Sequence, residues 1–457
     1  MEGSWVNSVR RLSALAVVVG SLLVGGAGSI QAQVAPVQPA LDAAVECAWW
    51  VETSTDNSNV LYPDTAAAYW TMPYLASDLR RIEVSGTYLD ARFFALQAYG
   101  ADGQLFTSPA GVESAITDYQ IVPDEGSQNP WVTDAAPGGS WTVTLTDTPD
   151  VLPTSPITGE ANILPLSTSQ AVTPLIPGTP SDTGYLMMRV YLPTGSFAAM
   201  RAELPTVTLV GRTGIERTLT PCQPQQRAAL AKTKDGASLI KALKTRNAPP
   251  SADCGDSCPP DLSFFKVGSV STPFPNADSA YVGALYTPRQ GQVVVMRAKM
   301  PTTSSGTSPE VWPGGVNLRY WSICNYVHAA PYPAVETPVG GKGAKVFGCT
   351  NDTTTPLSKG YATVVVSFPS DKALIKKRLA RLPSAVWLPM SPRYGKTQEL
   401  LAVRNMLANP DFTESATLIP TTGDPSAAAA TMASYYPQVG MCSVKTFLKS
   451  GTAGCLQ

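Results

Sequence analysis

Along this chain, polar and apolar residues alternate one by one more often than they recur at helical spacing. Ile82, Val84 and Gly86 fall on one face of a short run and Glu83, Ser85 and Thr87 on the other, the period of two that a half-buried strand requires. Trp141, Val143 and Leu145 continue the alternation, and Val207, Leu209 and Gly211 close the set. The run Arg92-Phe93-Phe94-Ala95-Leu96-Gln97-Ala98-Tyr99 is apolar on both faces, which predicts a strand covered on both sides of its sheet. Residues 186–192 read as a further apolar strand, ended by Pro193. Gly100-Ala101-Asp102-Gly103 makes a turn, and the proline- and threonine-rich stretch 147–183 reads as a loop ordered by its contacts.

The same design then recurs. Tyr62-Pro63-Asp64, Tyr69-Trp70 and the strand opened by Arg92 are matched in order by Phe274-Pro275-Asn276, Tyr281-Val282 and Arg319-Tyr320-Trp321-Ser322-Ile323-Cys324-Asn325-Tyr326. Thr142-Val143-Thr144-Leu145-Thr146 finds its counterpart in Thr363-Val364-Val365-Val366-Ser367. Two copies of one pattern predict two related β domains. The second copy carries an added glycine-, serine- and proline-rich stretch, 302–315, that reads as a loop.

Only two segments have helical character. In 226–246, Ala229, Leu230, Leu239, Ile240 and Leu243 form an apolar stripe that Gly236 divides into two short helices. Arg227, Lys232, Lys234, Lys241, Lys244 and Arg246 face the single acid Asp235 there. The segment therefore reads as a solvated basic linker, with weak contact to an anionic surface as the sharper alternative. Residues 400–408 read as a helix ended by Asn409-Pro410.

Composition narrows the class. Of 457 residues, 44% are apolar and 15% charged, with 36 glycines, 41 prolines and a net charge of −1. That suits many short strands joined by turns and gives no electrostatic reason to expect nucleic acid. Arg10 and Arg11 precede an apolar core over 12–24 and small residues leading to Ala32, the pattern of a cleaved export signal. This core is shorter than the roughly 20 residues of a spanning helix, so the mature protein is expected to be soluble and secreted or periplasmic. In that oxidising setting the eight cysteines read as disulfides. Proximity pairs Cys254 with Cys258, Cys442 with Cys455 and Cys324 with Cys349, which leaves Cys47 with Cys222. A metal reading of Cys254 and Cys258 lacks a second ligand pair.

Catalytic motifs are sparse. His328 is the only histidine, so any hydrolytic triad must use it; it reads as a surface residue of a loop, without a catalytic role. Gly395-Lys396-Thr397 lacks the earlier phosphate-loop glycine, Met390 standing there, and Gly340-Gly341-Lys342-Gly343 is a turn. Asp64, Asp124 and Glu125 could furnish the two carboxylates of a glycosidase, but Pro123-Asp124-Glu125-Gly126 is equally turn chemistry. The better candidates come from the repeat. Arg92 and Arg319 open equivalent strands, and Tyr99 and Tyr326 close them. An arginine beside aromatic rings can take a carboxylate or a sugar; the plainer reading pairs it with an acid such as Asp90.

Arg319-Tyr320-Trp321-Ser322-Ile323-Cys324 and Arg404-Asn405-Met406-Leu407 with Asn409-Pro410 carry a resemblance, as do Tyr62-Pro63-Asp64 and Pro123-Asp124-Glu125-Gly126-Ser127-Gln128-Asn129-Pro130. The chain resembles a group of uncharacterised exported bacterial proteins with duplicated β domains, with Ile323 where the group has leucine. The resemblance implies an architecture and carries no activity. The expectation is mainly β: two tandem related antiparallel β-sandwich, jelly-roll-like domains, with a signal peptide at 1–32, domains at 33–225 and 261–396, a helical linker at 226–260, and a C-terminal helix with a disulfide-tied tail at 397–457. Function is expected to be binding of a small molecule or envelope polymer without cofactor or metal. A carboxylate-dependent hydrolase of extracellular polymers is the alternative, and a structural envelope component a third reading.

Overall fold

A computed structural model describes residues 47–147, 162–167, 171–245, 261–268, 273–304, 310–339, 344–382, 384–393 and 397–456. Among the described residues the chain is mainly β, with several antiparallel sheets and no closed barrel. Its first half contains β1 (Cys47–Ala48), β2 (Val51–Thr53), β3 (Ala67–Leu75), β4 (Leu79–Thr87), β5 (Ala91–Tyr99), β6 (Ala115–Thr117), β7 (Ser140–Thr146), β8 (Ile163–Pro165), β9 (Thr183–Pro193), β10 (Thr206–Gly211) and β11 (Glu216–Pro221), with the short α1 (Phe197–Met200) after β9. Helices α2 (Pro224–Leu230) and α3 (Lys234–Thr245) follow. The second half contains β12 (Phe265–Lys266), β13 (Ser279–Tyr286), β14 (Gln292–Lys299), β15 (Leu318–Val327), β16 (Glu336–Pro338), β17 (Lys345–Phe347), β18 (Cys349–Asn351), β19 (Tyr361–Ser367), β20 (Ala385–Pro389), β21 (Glu399–Ala408) and β22 (Gln438–Ser443). Helix α4 (Pro369–Leu379) joins β19 to β20, while α5 (Pro425–Met432) and α6 (Val444–Ser450) flank β22.

Strand orders match between the halves. One sheet runs β2-β3-β9-β5-β6 and another β12-β13-β21-β15-β18. A six-stranded sheet, β1-β11-β10-β4-β7-β8, contains the run β10-β4-β7-β8, and the four-stranded sheet runs β22-β14-β19-β20. In both runs the first two pairings are antiparallel and the last is parallel. A parallel pair needs a crossover, and α4 supplies it between β19 and β20. The alternation read along 82–87 and 141–145 is the β4–β7 ladder, with Val84 opposite Val143 and Ile82 opposite Leu145.

The strand opened by Arg92 is buried along its whole length, and so is the one opened by Arg319. One face of β5 meets the six-stranded sheet, where Phe94 stacks on Trp141 with ring centroids 6.0 Å apart. The other face meets the second half: Phe93 packs on Tyr191, and Tyr191 packs on Tyr320. Phe274, Tyr320 and Met406 accordingly belong to the same apolar cluster as the core of the first half.

Three expectations are corrected. Residues 400–408 are not helical: they form β21, the central strand of its sheet, between β13 and β15. A fully buried strand shows a continuous apolar run without alternation, which periodicity alone does not separate from a buried helix. Within 147–183, Ile163–Pro165 is a strand whose partner is the distant β7. The break between α2 and α3 falls at Ala231, Lys232 and Thr233, not at Gly236. Gly236 is a close-approach position instead, since a Cβ there would strike the Leu230 carbonyl. The apolar stripe of this segment is largely consumed by the core, with Leu230, Leu239 and Leu243 buried.

Three of the four expected cysteine pairs are disulfides: Cys47–Cys222, Cys324–Cys349 and Cys442–Cys455. Cys47–Cys222 ties β1 beside β11, and Cys324 lies directly opposite Cys349 in the β15–β18 ladder. Cys254 and Cys258, the residues read as an export signal, and the first two residues of Gly395-Lys396-Thr397 lie outside the described residues. No helix among the described residues is long and apolar enough to cross a membrane.

Candidate functional site

Two loops, one from each half, reach into the opposite half. In the first, Leu61 and Tyr62 donate their backbone N–H groups to the carbonyls of Pro331 and Tyr332, both at 2.8 Å. In the second, Phe274 donates to the Gly103 carbonyl at 2.7 Å. Tyr62 and Phe274 each precede a proline and each adopt positive φ, 54° and 60°. Bulky residues occupy that region only where surrounding contacts hold them there. Each loop then closes with the same local bond: Asp64 Oδ1 accepts from Ala66 N at 2.9 Å, and Asn276 Oδ1 from Asp278 N at 3.1 Å.

A buried arginine receives each loop. Arg189 on β9 stands opposite Tyr69 of β3, and Arg404 on β21 opposite Tyr281 of β13. Arg189 donates through Nη2 to the Phe274 carbonyl at 2.7 Å, and Arg404 through Nη2 to the Tyr62 carbonyl at 3.3 Å. Arg189 also bonds Gln97 Oε1 through Nε at 3.0 Å and the Tyr99 hydroxyl at 2.7 Å. Arg404 donates to the Tyr191 hydroxyl at 2.7 Å and pairs with Asp64 at 3.1 Å. Asp64 is fully buried and also accepts from Tyr320 and Ser322.

Between the loops and the facing strands lies a cavity of ≈ 530 Å³. Tyr62, Tyr69, Arg189, Phe274, Tyr281 and Tyr326 give its wall its aromatic and cationic character, and Asn276 contributes an amide. Arg189 lies over the Tyr69 ring at 5.1 Å and Arg404, behind the wall, over Tyr281 at 4.9 Å. Among the described lining residues Glu113 is the one carboxylate and Lys266 the one lysine. Lys266 is already committed to the carbonyls of Ile419 and Thr417.

Of the four residues singled out by the repeat, Tyr326 lines this cavity, packed edge-on to Tyr62 at 5.1 Å. Tyr99 stands behind it as a hydrogen-bond partner of Arg189, and burial pushes its hydroxyl up to about 12 against the opposing pull of Arg189. Arg92 and Arg319 lie elsewhere. They cross between the halves, each donating to the other's carbonyl at 3.4 and 3.3 Å. Arg92 pairs with Asp352 at 2.7 Å and Arg319 with Asp118 at 3.3 Å. Arg319 is fully buried over the Trp131 ring. The acid partner is thus Asp352 from the other half, not Asp90, which accepts from Thr194.

His328 is not a surface residue. It is buried, its Nδ1 bonds the Tyr62 hydroxyl at 2.9 Å, and burial lowers its pKa to about 4, so the ring is neutral at pH 7. The loop that follows folds back on it, with Tyr332 against the ring. Asp124 sits in a turn closed by Ser127 N to its carbonyl at 2.9 Å, with Gly126 at φ 79°. Asp64, Asp124 and Glu125 are all absent from the cavity wall. No three His, Cys, Asp or Glu side chains gather as a metal site among the described residues.

Arg189 and Arg404 are the buried arginines at the candidate site that the repeat alone did not single out. An arginine in the middle of an apolar strand, as in Met187-Met188-Arg189-Val190-Tyr191, is the signal available for such a position, because a charge is buried there only with dedicated partners.

No family model matches the chain, and no curated protein does. Among solved structures, an uncharacterised protein from Burkholderia cenocepacia is similar over 88% of this chain and 84% of its own, at 10% identity and a TM-score of 0.46. A protein from Vibrio parahaemolyticus is similar over 83% of this chain and 90% of its own, at 12% identity and a TM-score of 0.38.

Proposed function

We propose that this is an exported binding protein built from two tandem, duplicated β-sandwich domains, and that it holds a small molecule in the cavity between its halves. One observation carries the reading: the ≈ 530 Å³ cavity combines several aromatic rings with Arg189, whose Nη1 is uncommitted among the described residues. That volume falls in the usual range for small-ligand sites, which are mostly apolar with a few placed polar groups. The matched strand orders and the reciprocal loops support the duplication. Three disulfides fit a secreted or periplasmic setting. A glycosidase needs two carboxyl groups about 5–10 Å apart, and Glu113 as the single carboxylate among the described wall residues favours binding over hydrolysis.

The test is a thermal-shift screen of the full chain against sugars, organic acids and lipids, followed by a turnover assay on each hit. A ligand at a hundredfold excess over Kd should stabilise by about 2.7 kcal/mol, and Tyr281→Ala should weaken the effect. A screen in which no class shifts the melting temperature, or in which a hit is consumed, overturns the reading.

A further inference from the structure

We infer that the ligand is a small carboxylate and that Arg189 takes its anionic group, the rest of the molecule lying among the aromatic rings. This rests on the binding reading above and adds to it the charge of the ligand.

The molecule contains its own control for Arg189. Arg404 occupies the matching place in the other half: opposite a tyrosine across the ladder, and bonded to the carbonyl of the residue before a proline. There, two residues further along that loop, stands Asp64, and it pairs with Arg404 at 3.1 Å. At the same step of the other loop stands Asn276, which makes the same turn bond but carries no charge. Arg189 is only 5% exposed, yet it has no carboxylate within ion-pair distance among the described residues. A buried guanidinium without a counter-charge is costly. The loop in which asparagine stands at the place of the aspartate is also the loop whose receiving arginine faces a cavity.

Two further observations agree. Asn276 Nδ2 is buried and has no hydrogen-bond partner among the described residues. Asp278, an acid whose charge Arg189 favours, spends its carboxylate on Gln97 Nε2 at 2.9 Å and makes no hydrogen bond to Arg189 among the described residues. Burial pushes Asp278 up to about 7, against Arg189 and with Asp118 and Glu113, so it is an incomplete countercharge at neutral pH. The uncommitted Nη1 of a charged guanidinium suits one oxygen of a carboxylate, and the rings of Tyr69, Tyr281 and Tyr326 suit a planar or apolar body behind it.

The experiment pairs each acid with its uncharged amide: benzoate with benzamide, phenylacetate with phenylacetamide, and hexanoate with hexanamide, titrated calorimetrically into the full chain at pH 7. Binding of at least one acid, at least tenfold tighter than its amide, is expected. Asn276→Asp should then cost the acid tenfold or more in affinity with the melting temperature held or raised, because it gives Arg189 the internal carboxylate that Arg404 already has. The acid–amide comparison needs no variant, so a poorly folding Asn276→Asp leaves it decisive. Equal binding of acid and amide, binding of neutral sugars alone, or full acid affinity in a folded Asn276→Asp protein overturns the inference while the binding reading stands. Absence of binding by any acid overturns the inference, and absence of binding by every class in the wider screen overturns both.

Discussion

At the scale of single residues, the interior of this protein is ordered by arginines. Arg319, Arg404 and Arg189 are each nearly or fully buried, and each stabilises a contact between the halves only while its partners are in place. Replacing Asp64 by Asn would remove the Arg404 countercharge while keeping the shape of the turn. Breaking a buried pair in this way costs about 3–5 kcal/mol, so Asp64→Asn should lower the urea midpoint by that equivalent, without change in the denaturant slope. His328 gives a pH prediction of definite sign. Its pKa falls from 6.5 in the ordinary state to about 4 when buried, so the folded state binds fewer protons than the unfolded one. The contribution of His328 to stability is therefore full above about 6.5 and lost as pH falls through about 4. In wild type minus His328→Gln, the stability difference should shrink towards acid by on the order of 2–3 kcal/mol. A pH-independent difference between pH 7 and 4 would refute the burial of this ring.

At the scale of elements, what the sequence made legible follows from how each element is buried. Strands with one face toward a core and one toward solvent, such as β4 and β7, alternate and were readable. β21 was misread because it is buried on both faces, and its apolar run carries no period. β8 was missed because three residues hold too little pattern, and its pairing with β7 is a matter of tertiary placement. The site was legible in the same partial way. The repeat led to Tyr326 and to the arginine-beside-aromatic chemistry. It pointed to strand-opening arginines, though, because equal spacing does not report which of four buried arginines borders empty space. The basic segment yields a prediction here. α2, α3 and the break between them turn Leu230, Leu239 and Leu243 inward and leave Lys232, Lys234, Lys241 and Lys244 exposed, so no broad apolar face remains among the described residues of this segment to enter a bilayer. Any attraction to anionic vesicles is then purely electrostatic. Co-sedimentation should appear at about 10 mM salt and vanish near 150 mM, where the screening length is about 8 Å. Binding that survives 150 mM salt would require an inserted apolar face and sink this account.

At the scale of the whole molecule, the contacts between the halves are paired. Arg92 reaches the Arg319 carbonyl and Arg319 the Arg92 carbonyl; Asp118, just after β6, holds Arg319, and Asp352, just after β18, holds Arg92. The loop at Tyr62 enters the second half and the loop at Phe274 enters the first. An isologous dimer interface has this reciprocity, each patch contacting its own equivalent, so the proposed duplication would have joined two copies that already fitted one another. The covalent connection between the halves then serves mainly to raise their effective concentration. This predicts the behaviour of a nicked chain. A protease site inserted between residues 246 and 260, cleaved after folding, should give two fragments that co-elute on size exclusion under native conditions and melt in one transition, because the buried arginine pairs span both. The nicked protein should unfold at a midpoint that depends on its concentration, as a two-chain species does. Separation of the fragments without denaturant, or two independent transitions, would mean that the reciprocal contacts are too weak to hold the halves, and with them the cavity, together.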